Sequence, residues 1–76
     1  MTADKRYVVQ LHPATMVGVR ARRTLAEAAA TVGVKRQAIH SAIYNASVCA
    51  DYRWEWSDVY ETRVALHGGT PLSALI

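Results

Sequence analysis

From Tyr7 to His12 apolar and polar positions alternate, with Tyr7, Val9 and Leu11 on one parity and Val8, Gln10 and His12 on the other. Period-two spacing of this kind predicts a β-strand. Pro13-Ala14-Thr15 predicts a turn, and Met16 to Arg20 a returning strand in which Gly18 serves a bulge or a close backbone approach. The competing element is a helix from Ala14 to Arg23 opened by Pro13. Val17, Gly18 and Val19 lower helix propensity there, so the hairpin is preferred.

The period changes at Thr24. Leu25, Ala28, Ala29 and Val32 recur at helical spacing, and Thr24 with Glu27 forms a T-x-x-E capping box. Gly33 is placed to stop this helix in the left-handed conformation, where a Cβ is penalised. Val34 fills the corner, and Lys35 stands where a Ser or Thr cap is more usual. A second helix follows from about Arg36 to Tyr44, with Ile39, Ala42 and Ile43 inward and Asn45 as its left-handed stop. Ala46 to Asp51 reads as a loop.

Tyr52-Arg53-Trp54-Glu55-Trp56 returns to period two and predicts a third strand, with its aromatic stripe packed on Leu25, Val32 and Ile39. Ser57 is expected to cap a helix whose apolar positions are Val59, Val64 and Leu66, with Gly68-Gly69 as its end. Thr70-Pro71 predicts one more helix start, followed by Leu72, Leu75 and Ile76. The expected fold is one small α+β domain over 1–76: an N-terminal β-hairpin, a helix-turn-helix at 24–44, a third wing-like strand beside the hairpin, and C-terminal helices.

A helix-turn-helix projects the outer face of its second helix. Here that face holds Lys35, Arg36, Gln37, His40, Ser41 and Tyr44, groups that hydrogen-bond to base edges and phosphates. Arg36 suits guanine and Gln37 adenine in the major groove. His40 is a further base contact, while Lys35, Ser41 and Tyr44 suit phosphate or sugar. Thr24 and the helix start behind it are a candidate phosphate site. Arg20, Arg22 and Arg23 are candidate phosphate clamps, setting position without reading sequence. The plainer interpretation is an αα-corner with a solvated outer face.

From Leu25 onward the chain resembles the twenty-residue helix-turn-helix pattern of DNA-binding proteins, with Ala29, Gly33, Val34, Ile39 and Ala42 at its alanine, glycine and apolar positions. Tyr7 to Trp56 is also similar to the small DNA-binding repeat module of intron-encoded homing nucleases. Ala50-Asp51 and Asn45 stand where that module usually has glycine. No nuclease segment accompanies the likeness, which therefore implies binding without cleavage, as in a regulator of a phage or mobile element.

Charge supports the same side of the molecule. The net charge is +3, but Arg20, Arg22, Arg23, Lys35 and Arg36 face a single acid, Glu27, between residues 20 and 36. Residues 51–61 reverse the balance, with four acids against Arg53. A polyanion is drawn to the first region. The lone Cys49 cannot form an internal disulfide, and His12, His40 and His67 have no partner at ligand spacing, so neither a metal nor another cofactor is expected. No catalytic constellation appears, and an enzyme is not expected. The polar start, Met1 to Arg6, leads into too short an apolar run for a signal peptide or membrane span, which points to the cytoplasm.

The expected function is sequence-specific binding of double-stranded DNA by a repressor-like regulator. Residues 57–76, with Val64, Leu66, Leu72, Leu75 and Ile76, are a candidate homodimer seam. Two alternatives stand beside this. One is a protein-binding module using the acidic 51–61 region and the apolar C-terminus; the other is an architectural or excision factor that bends DNA.

Overall fold

A computed structural model describes residues 7–76; the polar start, Met1 to Arg6, from which a signal peptide is not expected, lies outside them. Strands β1 (Val8–Leu11) and β2 (Gly18–Arg22) form the hairpin, followed by helices α1 (Leu25–Val32) and α2 (Arg36–Asn45). Strand β3 (Arg53–Trp56) runs directly into helix α3 (Ser57–His67), and a short 3-10 turn covers Leu72–Ala74. The sheet is antiparallel with order β2-β1-β3, so the third strand lies beside the hairpin and β1 is central.

The central strand explains the layering. All four residues of β1 are buried, because both of its faces are covered. Val8 packs with Ala28, Ala29, Ile39, Ala42 and Trp54 beneath α1 and α2. Val9 and Leu11 pack with Ala21, Tyr60 and Leu75 on the opposite face. The molecule therefore has three layers, a helix pair, a sheet and then α3 with the C-terminal turn. An alternating strand with two covered faces is compatible with a core this small only because each helix layer is short.

The hairpin contains both features expected of its glycine. Pairing shifts from Gln10↔Arg20 to Leu11↔Gly18, so Val19 is the extra residue of a bulge. A Cβ on Gly18 would lie 2.5 Å from both Leu75 Cδ1 and the Tyr60 hydroxyl oxygen. The returning strand begins at Gly18, two residues later than the sequence suggested, because Met16 turns through a positive φ of 64°. His12 orders this turn, its Nδ1 accepting from the N–H groups of Ala14 at 3.1 Å and Thr15 at 3.3 Å.

Four expectations need correction. Asn45 is the last residue of α2, and the left-handed stop is Ala46, whose N–H reaches the carbonyls of Ala42 and Ile43. Ser57 does not cap α3. It is the first helical residue, and its hydroxyl accepts the Tyr7 N–H at 2.9 Å, extending the β1–β3 pairing. The buried side of α3 is Ser57 and Tyr60, with Val64 half-buried, whereas Val59 and Leu66 are 51% and 73% exposed. Thr70-Pro71 opens only a 3-10 turn, with Pro71 before its first residue.

Candidate nucleic-acid interface

The helix pair forms as its sequence demands. Thr24 Oγ1 accepts the Glu27 N–H at 3.0 Å, and Glu27 Oε1 accepts the Arg23 N–H at 2.8 Å. The box thus closes one residue earlier than the usual pairing, on Arg23 and not on Thr24 itself. Gly33 ends α1 at φ 76°, and nothing lies within 4 Å of where its Cβ would be, so backbone conformation alone demands glycine there. The corner lets Ile39 and Ala42 reach the core at 0% and 2% exposure.

Burying that edge of α2 turns the other edge outward. Lys35, Arg36, Gln37, His40, Ser41 and Tyr44 are all exposed, Tyr44 to 85%. Among the described residues, none of these side chains forms a hydrogen bond or ion pair with the rest of the chain. The start of α2 is unusual. Lys35 occupies the cap position without a side-chain cap bond, and no acid lies in the first turn. A helix N-terminus carries partial positive charge, so Lys35 and Arg36 add charge of the unfavourable sign. Uncapped N–H groups beside two cations make the most anion-attracting point on the helix pair.

The arginines before α1 divide. Directly opposed residues of an antiparallel pair share a sheet face. Arg22 opposes Val8 and Arg20 opposes Gln10, which in turn oppose Trp56 and Trp54. Both arginines therefore belong to the face that α1 and α2 cover. Arg20 and Arg23 are exposed; Arg22 is half-buried, with its Nε enclosed and unpartnered. Enclosing one nitrogen fixes the stem of Arg22 and limits where its charged end can point. Thr24 is also exposed, but its oxygen serves the helix and the Glu27 carboxylate already stands at that end. A phosphate approaching the α1 N-terminus meets a negative group, so of the two helix starts only that of α2 is open to an anion.

The aromatic stripe of β3 is structural. Trp54 is 4% exposed, its indole N–H donates to the Cys49 carbonyl at 2.9 Å, and Tyr52 meets it edge-on at 6.3 Å. Leu25, Val32 and Ile39 belong to the same cluster. Ala50 and Asp51, at φ 54° and 70°, form the tight turn between Cys49 and Tyr52.

On the other sheet face lies a group that sequence reasoning missed. Arg63 Nη2 bonds Glu55 at 2.5 Å, and its guanidinium lies 5.4 Å from the Tyr60 ring centroid. Burial pushes the Tyr60 phenol above the ordinary tyrosine range, opposed by the Arg63 charge. The available signal was Ser57, Tyr60 and Val64 at i, i+3 and i+7, masked by the more obviously apolar Val59 and Leu66.

Among the described residues, no group of three or more His, Cys, Asp or Glu side chains is placed to hold a metal ion, and no helix is long and apolar enough to cross a membrane. The chain matches no protein-family model, no curated protein and no solved structure.

Proposed function

We propose that this domain binds double-stranded DNA, with α2 entering the major groove, and acts in the cytoplasm as a repressor-like regulator of a phage or mobile element. The observation that carries the reading is the outward face of α2. It has six exposed polar side chains without partners among the described residues and a helix start carrying uncompensated positive charge. Arg36, Gln37 and His40 read base edges; Lys35, Ser41 and Tyr44 hold phosphate or sugar. Arg20 and Arg22, on the same side of the sheet, contact flanking phosphates, with Arg23 beside them.

Fluorescence anisotropy of labelled duplexes at two salt concentrations tests this. Binding to random duplex should be measurable at low salt and weaken steeply as salt rises. Absence of any salt-sensitive binding would remove the proposal and favour the protein-binding alternative, for which the exposed Val59 and Leu66 of α3 are the best support. Selection from a random library then addresses specificity. Arg36→Ala should cost about 1–3 kcal/mol on the selected site and relax preference at one base pair.

A homodimer seam in residues 57–76 fits this reading less well. Leu75 is buried in the chain's own core and Val64 and Leu72 pack against it, leaving Leu66 and Ile76 exposed. The outer side of α3 also faces away from the helix pair. A two-fold axis through it would turn the two α2 surfaces in opposite directions, so such a pair would hold two duplexes and not adjacent grooves of one. Sedimentation equilibrium measures whether the pair exists at all.

A further inference from the structure

Across the sheet from α2, a cavity of about 500 Å³ opens between the hairpin turn, α3 and the Gly68–Pro71 segment. That size lies within the range of small-molecule sites, roughly 300–1,000 Å³. Its lining holds basic side chains and no acidic one. Arg63 and His67 contribute to the wall, and no Asp or Glu does, although α3 carries both acids elsewhere. Glu55 approaches Arg63 but is not part of the lining, and it occupies only Nη2. Nη1 makes one long contact, 3.4 Å, to the Met16 carbonyl. Among the described residues, Gly69 and Thr70, also in the wall, donate their backbone N–H groups to no other backbone group. Met16, Val64 and Pro71 supply an apolar remainder.

One side-chain hydrogen bond ties the glycine segment to the base of the cavity. Tyr60, at its base, donates its hydroxyl to the Thr70 carbonyl at 2.6 Å and tethers the glycine segment. Gly68 and Gly69 adopt φ values of 84° and 137°, which side-chain-bearing residues rarely take. Donors without acceptors, one fixed guanidinium and an apolar wall together suit an anion with a short hydrocarbon body. We propose that this cavity binds a small organic monocarboxylate, its carboxylate held by Arg63 and the Gly69–Thr70 N–H groups and its body against Met16, Val64 and Pro71. The site is independent of the DNA-binding reading.

Titration of the isotope-labelled protein with hexanoate, and separately with hexanamide, tests it by NMR. Hexanoate should shift the Val17, Val64 and Thr70 resonances saturably, with a dissociation constant of about 1 mM or below, and hexanamide should bind at least about tenfold more weakly. In Arg63→Gln combined with Glu55→Gln, which avoids stranding a carboxylate, hexanoate affinity should fall by about tenfold or more. Val17→Asp, at an exposed position of the wall, keeps the test available if the double variant fails to fold; its added carboxylate should weaken hexanoate about two- to fivefold and leave hexanamide unchanged. Three results overturn the proposal: no saturation by about 20 mM hexanoate, equal binding of the amide, or undiminished hexanoate affinity in the folded variants.

Discussion

The two helices of the motif differ at both ends. The α1 N-terminus has a threonine cap and a glutamate in its first turn; the α2 N-terminus has a lysine, then an arginine, and no cap bond. At their C-termini both helices end in a left-handed residue, Gly33 for α1 and Ala46 for α2. At both caps α1 carries a residue type that helix ends favour, Thr24 and Gly33, and at both caps α2 carries one that they do not, Lys35 and Ala46. Residues that break local rules without a structural gain are expected where function uses them. At Lys35 and Arg36 the gain is a positive helix start directed at solvent. At Ala46 no gain is visible.

Lys35→Asp tests the contrast at the N-termini most severely. The change supplies a capping side chain and removes an adverse charge, so stability in urea should rise by about 1 kcal/mol. DNA affinity should fall at least about tenfold, with a shallower salt dependence. A variant that gained stability and kept its affinity would show that the start of α2 has no part in binding.

Thr24→Ala is the reverse case. It should cost about 1 kcal/mol of stability, because the Glu27 N–H loses its acceptor. Affinity for DNA should stay within about twofold, since the Glu27 carboxylate shields that end from phosphate. A selective loss of affinity would put Thr24 back among the phosphate contacts.

Ala46→Gly probes the C-termini, and urea denaturation should show a gain of about 0.5–1 kcal/mol with binding unchanged. No gain would mean that the α2 terminus is less strained than its φ of 53° implies.

The smallest effect lies outside the helix pair. The Tyr60 phenol is raised in the folded state, chiefly by burial. Folding therefore favours its protonated form. That contribution is constant below the unfolded tyrosine value of about 10 and is lost as pH rises through the folded value. Alkaline unfolding followed by circular dichroism should show this fall above about pH 10, and Tyr60→Phe should remove it. DNA binding should not follow that titration, because the group lies on the other sheet face.

Legibility in the sequence followed how local the physics was. Thr24 to Gly33 was readable because a cap, a spacing and a stop are all written within one short segment. The hairpin was readable for the same reason, and Gly18 marks a close contact whose partners, Tyr60 and Leu75, only the tertiary arrangement supplies. The orientation of α3 was not readable. Its inward side is decided by a sheet whose central strand lies some 50 residues earlier in the chain, and Ser57, which looks like a cap, is recruited by the Tyr7 N–H. Asn45 lost to Ala46 because the last turn of α2 closes with the Ser47 N–H on the Ala42 carbonyl, a bond that sets the left-handed residue by position and not by preference. For the candidate interface, exposure of the α2 face followed from Ile39 and Ala42 being inward. That Thr24 is self-satisfied and Arg22 half-enclosed needed the tertiary arrangement.

The ten residues of α2 set a scale for what one copy can discriminate. At about 1.5 Å per residue the helix is some 15 Å long, and with base pairs about 3.4 Å apart it overlaps only about four of them. A four-letter word recurs by chance roughly every few hundred base pairs, far too often to mark a unique address among the ~10⁶ or more competing positions of a genome. On the DNA-binding reading proposed above, a single domain samples many near-equivalent addresses, and control of one promoter would require neighbouring copies on clustered words or a longer reading supplied by a companion protein.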